Sequence, residues 1–586
     1  MSGSRTDGQR RFLLGAKGLR GWALLLLLAV LWLWVAFRYI GSAGCDDAHI
    51  SYWSSYALAE LGQLVNYNGA PVEQSSSLTW VLLLALTYKL LPGSLPTQGY
   101  VLGLLAGLLA IVQTYRLAER ILRRSGLGAA ALTATSWCLL YWSTSGMETA
   151  LAALLGPTLV LALVDLFERP DRRRTAWLAF VAAAFVACRP ENVLIAPCLA
   201  AALGVHLGAR SDGALGDRVG GRAGVTALAV LVAAPLMLTA WRMLYSGTLV
   251  PNAALMKTER SALEVGLEYL FNSAVDTNGL LIPTTVLGLL AALRVVRRSS
   301  SEALPLLAAA ALGFAELAFV AASGGDWMEW GRFLAPAIPM VAVLTTAALG
   351  MLLQRGRAVR RMALLIALGG VLSMTLQVRK RWHHLIPIRT ALGVDSRLAE
   401  ERGGMDFSIA EFAGTPHMRD TMMVPVMLDI LAKIEPTADE PVYIASGQGG
   451  MIPFHVFKQY FGRAHFLDLF SLTSPELARC LRGSINSRDA YGTAIRLDRV
   501  LDAEQMKQDC GLPQPTIFFS NRLRKHMSRL FRERGYVVLY HHQGMLYGNR
   551  QGYNLEAFIA VERSVATRHG LTPKRWDFKE DPIGRP

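Results

Sequence analysis

Charge is scarce in this sequence. Asp, Glu, Lys and Arg make up only 18% of its 586 residues, against about a quarter in soluble domains, which excludes an ordinary soluble globular chain. Cysteine is also rare: the 6 present form no Cys-x-x-Cys pair and no zinc spacing, which removes zinc fingers and ribbons. No internal repeat and no low-complexity tract occurs, so solenoids and long disordered arms are excluded as well. Acidic residues are the rarer charged class, 44 against 59 basic, for a net charge of +15. In a soluble protein that surplus would suggest nucleic acid. Here the arginines sit in short segments between apolar runs, where they set membrane orientation, and nucleic-acid binding is not expected.

What the chain does have is apolar surface, with 52% hydrophobic residues and a mean hydropathy of +0.32. Basic residues up to Arg20 precede an apolar stretch from Trp22 to Ile40 that is too long, and too poor in small-residue cleavage sites, to be a signal peptide. It reads as a retained first membrane helix. Further spans are expected at 99–115, 127–143, 147–167, 175–188, 193–209, 224–242, 280–296, 303–321, 333–353 and 362–378, giving about eleven crossings. Cys138, Cys188 and Cys198 fall in these runs and read as small core residues. The run Leu78 to Leu91 is short and reads as re-entrant or interfacial.

Charge placement decides the count. With 78–91 re-entrant, Arg116, Arg120, Arg123 and Arg124, then Arg169 and Arg172 to Arg174, then Arg294, Arg297 and Arg298, then Arg355, Arg357, Arg360 and Arg361 all fall inside. Three regions follow: a cytoplasmic tail at 1–21, a membrane domain at 22–378 and an extracytoplasmic α/β domain at 379–586. In the last, strand-like runs at 442–445, 516–519 and 536–540 alternate with helical patterns near 421–434 and 523–534. Gly447, Gly449 and Gly450 follow a strand without the Gly-x-Gly-x-x-Gly pattern, so a tight turn is expected there. Cys480 and Cys510 both fall in this domain, where an oxidising compartment would permit a disulfide.

The outer loops concentrate carboxylates, which the arginine rule does not require. Asp46 and Asp47 are adjacent just past the first helix; side by side they repel unless something cationic compensates. One can act as general base on an acceptor hydroxyl while the other binds a divalent cation or sugar hydroxyls; equally, both can be solvated loop residues capping a helix that starts near His49. The polar stretch from Asn66 to Ser77, which holds Glu73, reads as a ligand-lining loop. Polar clusters recur at Ser145-Gly146-Met147-Glu148, at Arg189-Pro190-Glu191, from Pro251-Asn252 to Lys257, and from Gly324 to Arg332 including Asp326. Arg189, Lys257 and Arg332 suit a lipid phosphate, although any one alone could simply reach toward headgroups. His49, His541 and His542 lack ligand spacing and read as packing or surface residues.

In their order and spacing over residues 44 to 336 these motifs resemble the GT-C class of membrane glycosyltransferases, and more narrowly the mycobacterial terminal arabinofuranosyltransferases and related pilin arabinosyltransferases. The resemblance implies an α-helical polytopic enzyme of a bacterial inner membrane that moves a sugar, arabinofuranose first, from a polyprenyl monophosphate to a hydroxyl of an envelope glycan or pilin. It implies Asp46 as base, Asp47 orienting the donor or binding Mg or Mn, Arg189 and Lys257 holding phosphate, and Asp326 and Arg332 shaping the sugar site, with Glu73, Glu148, Glu191 and Asn252 as further substrate-binding residues. A lipid-sugar transporter or flippase, or a non-catalytic envelope assembly protein, are the rival classes. A transporter would place ionisable groups mid-membrane and show repeated halves, and neither is read here.

Overall fold

Apolar runs of the observed lengths fold as helices because only a helix satisfies its own backbone in lipid. The computed structural model describes residues 16–37, 45–122, 126–208, 218–255, 263–267, 269–270, 303–326, 331–353, 423–481, 497–523, 531–544 and 555–573. Four helices among them are long and apolar enough to cross a bilayer: Leu95–Ile121, Thr149–Glu168, Gly221–Ser246 and Leu304–Ala322. The chain is thus a multi-pass membrane protein. Thr149–Glu168 is the central one, with 83% of its apolar window buried, whereas Gly221–Ser246 buries 28% and leaves Leu236, Met237 and Leu244 on its outer side. The shorter helix Ala335–Leu349 packs on Thr149–Glu168, whereas Gly21–Val35 packs on Gly126–Ala134 and Asn192–Leu207 on Arg218–Ser246 and Ala303–Ala322. The spans expected at 280–296 and 362–378 lie outside the described residues.

Two apolar segments form helices too short to cross a bilayer alone. Leu78–Leu90 is a helix of 13 residues, about 20 Å long against a hydrocarbon core of about 30 Å, which agrees with a segment that does not span. The run at 127–143 is divided into Gly126–Ala134 and Trp137–Ser143. The Thr135 hydroxyl donates back to the carbonyl of Ala131 at 2.8 Å, and Ser136 is extended, the side-chain competition that interrupts helices at such residues. Cys138 and Cys188 are buried as expected, but Cys198 is exposed, on the outer side of the helix Asn192–Gly208.

Beyond the membrane helices, a helix at 423–434 precedes a five-stranded mixed sheet. Strands β1 (Val442–Ser446), β2 (Ala464–Asp468), β3 (Ile517–Leu523), β4 (Tyr536–Gly544) and β5 (Leu555–Glu562) lie in the order β2-β1-β3-β5-β4. The pairs β1–β2 and β1–β3 are parallel, and β5 runs antiparallel to both β3 and β4. β2 and β5 were not legible in the sequence, because Ala, Glu and Asp weaken their strand signal. Of the helical pattern expected near 523–534, residues 531–533 are helical and 523 ends β3, with 524–530 outside the described residues.

Cys480 and Cys510 form a disulfide with Cα atoms 5.0 Å apart, closing a separation of 30 residues. Chain-entropy reasoning assigns such a loop about 3–4 kcal/mol. Replacing both cysteines by serine is therefore expected to lower the melting temperature of the purified protein, read by the exposure of the sheet core around Phe518 and Phe531. An unchanged melting temperature would show that the pair contributes nothing.

Candidate active site

After the first helix the described chain resumes at Cys45, whose amide donates to Ser145 O at 3.1 Å. This joins the acidic pair to the Ser145–Glu148 loop. Gly146 makes the junction possible: its φ is +78°, and a Cβ there would lie 2.0 Å from the Tyr52 hydroxyl. Its carbonyl accepts from Trp80 Nε1 at 3.0 Å and from Tyr52 at 3.4 Å. Asp47 occupies the N-cap position of the helix Ala48–Tyr56, but its side chain makes no capping bond. It faces Arg332 instead, with Oδ2 3.6 Å from Nη1.

Arg332 is buried and also holds Asp326 through two bonds, Nε to Oδ2 at 2.5 Å and Nη2 to Oδ1 at 3.0 Å. Arg189 is equally buried, bonded by Nη1 to Glu148 Oε1 at 3.0 Å and by Nε to Glu191. The ring of Phe333 lies between the two arginines, 5.1 Å from each guanidinium carbon, and Trp142 flanks Arg332 at 5.9 Å. Burial works against the charge on Arg189, yet Glu191 and Glu148 hold its guanidinium above its ordinary range; Asp326 and Asp47 do the same for Arg332. Both cations are therefore permanent. Carboxylates already match the charge of both.

Asp46 points elsewhere. Its Oδ1 accepts from the backbone amide of Met451 at 2.6 Å, the first residue of the helix Met451–Tyr460 in the C-terminal domain. The acidic pair thus reaches both ways, Asp47 to Arg332 and Asp46 to the helix that follows β1.

The stretch from Asn66 to Ser77, expected to line a ligand, is occupied by protein contacts in its described positions. Asn66 Oδ1 accepts from Asn68 N and Ala70 N at 3.0 and 2.9 Å, the local side-chain turn that this residue type favours. Its Nδ2 donates to Thr473 O at 3.2 Å. Asn68 mimics a strand on the open edge of β2, giving Nδ2 to Phe466 O at 2.9 Å and receiving Phe466 N at 2.7 Å. Asn252 reaches the same region, donating to Ser471 O at 2.6 Å and Leu472 O at 2.8 Å, while its amide donates to Glu73 O at 3.2 Å. Asp468, at the end of β2, organises that loop by accepting from Phe470 N, Thr473 N and Thr473 Oγ1, and burial pushes its carboxyl above the usual range.

The structure thus brings Asp47, Glu148, Arg189, Glu191, Asp326 and Arg332 together. Asp46, Glu73 and Asn252 lie at its border with other partners, and Lys257 lies outside the described residues. Two charged residues escaped the sequence reading. Arg242, on the helix Arg218–Ser246, is fully buried in a two-pronged pair with Glu73, at 2.7 and 3.1 Å. Glu316, on the helix Ala303–Ala322, is buried near Arg189 and Glu191, and its Oε2 has no hydrogen-bond partner. The expectation of no ionisable group within a span is corrected by Glu316. The signal was visible, since an ionisable residue inside an apolar run is itself a functional pointer. His49 is buried against Tyr52 and Phe454, in keeping with a packing residue. Among the described residues no group of three or more His, Cys, Asp or Glu is arranged to hold a metal ion.

ArnT from Cupriavidus metallidurans, solved bound to undecaprenyl phosphate, is similar to this chain over 94% of its length and 99% of that chain, with a TM-score of 0.51 and 16% identity. The fold is GT-C. The oligosaccharyltransferase AglB from Archaeoglobus fulgidus, in complex with an inhibitory peptide and a dolichol-phosphate, gives a TM-score of 0.51 at 13% identity over 91% of this chain and 75% of that one. The oligosaccharyltransferase of the same organism tethered to an acceptor peptide gives 0.50 at 13% over 86% and 69%. No family model matches the chain, and no curated protein matches it by sequence. At these identities the likeness is one of fold.

Proposed function

We propose that this protein transfers a sugar from a polyprenyl monophosphate to an acceptor hydroxyl at the extracytoplasmic face, with arabinofuranose as the sugar and an envelope glycan or pilin as the acceptor. The observation that carries the reading is Asp47: an uncapped carboxylate 3.6 Å from a buried arginine, where three outer loops converge. The GT-C neighbours were solved with lipid phosphates and peptides, which supports a lipid-phosphate donor. The Cys480–Cys510 disulfide favours an oxidising side for the sheet domain, the arginine distribution favours an N-terminus inside, and the sequence resemblance implies a bacterial inner membrane.

The chemistry follows from the placement. Asp47 takes the proton of the acceptor hydroxyl as that oxygen bonds to the anomeric carbon, and the bond from that carbon to the phosphate oxygen breaks, releasing the lipid phosphate as an anion. Arg332, fixed by Asp326 and packed on Phe333, offers a preorganised cation beside the reacting groups without rearranging. Lys257 keeps the role of contacting phosphate. Glu148 and Glu191 fix Arg189 as a second cation of the same wall, and Asn252 and Glu73 support the loop that leads to Lys257. The sequence resemblance placed the base at Asp46; the Met451 amide on Asp46 favours exchanging the two roles.

A divalent cation at Asp47 does not fit this donor set, because the neighbouring guanidinium occupies the side a metal would need and Asp46 is turned to a backbone amide. Chelator treatment of the purified protein is expected to leave transfer within about twofold of untreated enzyme, and recovery only on adding Mg or Mn would refute this.

The function is tested by incubating the purified full-length protein with polyprenyl-phosphate arabinofuranose and a defined glycan acceptor, beside a second polyprenyl-phosphate sugar. Transfer from neither donor would sink the reading. Transfer from the second alone would retain the reaction and discard arabinofuranose. A transporter is not favoured, since no repeated halves are found in the sequence.

A further inference from the structure

The loops leaving the C-terminal ends of β1 and β2 face the first outer loop. Four side chains of the membrane domain bond to their backbone. Tyr67 donates to Gly449 O at 2.8 Å, Asn66 to Thr473 O, Asn252 to Ser471 O and Leu472 O, and Asp46 accepts from Met451 N. At Asp46 the backbones themselves approach closely. A Cβ at Gly450 would lie 2.0 Å from Asp46 O and 2.4 Å from its Oδ1, so the glycine lets the two backbones meet. Apolar packing backs the polar contacts, with Trp53, Tyr67, Phe457 and Phe461 forming one cluster across the junction.

We infer that the sheet domain is a working part of the transferase site: Gly450 and the Met451 amide are positioning elements that hold Asp46, and through it hold Asp47 toward Arg332. This rests on the function proposed above. The physical reason is connectivity. Asp46 and Asp47 are neighbours at the first turn of Ala48–Tyr56, where His49 N bonds to Asp46 O at 3.0 Å and Ile50 N to Asp47 O at 3.2 Å. A carboxylate anchored on one residue therefore fixes the backbone, and so the side-chain direction, of the next. A base displaced by about 1 Å can lose about 10²-fold in rate. The first amide of this helix of 10 residues lies in the turn whose donors have no acceptor within the helix, and it donates to Asp46 Oδ1. That amide is the fixed point.

The first position of a helix also accepts proline, so Met451→Pro deletes the amide donor while keeping helical backbone. Met451→Ala, which keeps the amide, separates the loss of side-chain packing. Met451→Pro and Asp46→Ala are each expected to lower kcat by about 10- to 100-fold with KM little changed, and the double variant to lose no more than either alone. Asp46→Asn, which retains an acceptor oxygen, is expected to recover at least about tenfold of what Asp46→Ala loses. Gly450→Ala gives an independent route to the same loss by pushing the backbones apart. Multiplicative losses in the double variant, a Met451→Ala loss equal to that of Met451→Pro, or an Asp46→Asn loss equal to that of Asp46→Ala would each overturn the inference. Hydrogen exchange of segments 45–52 and 447–453 in wild type and Met451→Pro provides a readout independent of activity. Faster exchange in both segments of the variant supports the anchor, and unchanged exchange overturns it, even if wild type transfers no sugar and the functional reading fails.

Discussion

Asp47→Asn is expected to reduce sugar transfer by about 10²- to 10⁴-fold, the range that removal of a general base produces, while leaving expression and membrane insertion intact. The amide keeps the shape of the carboxylate but cannot accept a proton at neutral pH. Because Asp47 makes no capping bond to its helix, the substitution removes little from the fold. Its nearest charged partner is Arg332, at 3.6 Å and still held by Asp326 through two bonds, so that guanidinium stays in place in the variant. The decisive comparison is with Asp46→Asn in the same membranes, assayed as initial rate against donor concentration. A larger loss at Asp46 than at Asp47 would return the base to Asp46 and remove the division of roles argued from the Met451 amide.

Arg242→Met is the second large effect, and it falls on stability. Arg242 and Glu73 are 0% and 3% exposed at their side chains and bind in a two-pronged pair. Removing one partner of such a pair strands the other charge in a low-dielectric interior, at about 3–5 kcal/mol. Burial already pushes the Glu73 carboxyl above its usual range, with Arg242 opposing the shift. The double replacement Glu73→Leu with Arg242→Met should regain most of the loss, because two apolar groups of similar bulk need no partner. Thermal unfolding in detergent would show this as a large drop for the single variant and a small one for the double. Equal melting temperatures for wild type and Arg242→Met would mean that the pair is not buried in the working protein. The Glu73 carbonyl accepts the Asn252 amide, so the single variant should also weaken the seat of the loop that carries Asn252.

Much of the site was legible because charge is so rare here that each polar loop cluster stands out against apolar sequence. Glu148, Arg189, Glu191, Asp326 and Arg332 were each visible as polar residues at the ends of apolar runs, and all meet around Phe333. Arg242 and Glu316 were passed over for the opposite reason: each sits inside a run whose hydropathy dominates a reading by segments. The strand β2 was missed because its alternation is blurred by His465 and Asp468, and its pairing with β1 is a contact between segments that sequence does not connect.

The sequence by itself determined that the chain lives in a membrane and that its scarce carboxylates and arginines cluster between apolar runs, because the bilayer imposes length and polarity on every segment it touches. Only the tertiary structure decided how the charges are matched. Asp46 and Asp47 are identical and adjacent, and nothing local distinguishes them. Their partners, Met451 and Arg332, lie hundreds of residues away in the chain and are brought up by opposite sides of the junction. Hydrogen bonds and ion pairs act over a few ångströms of space, whereas sequence records only order along the chain.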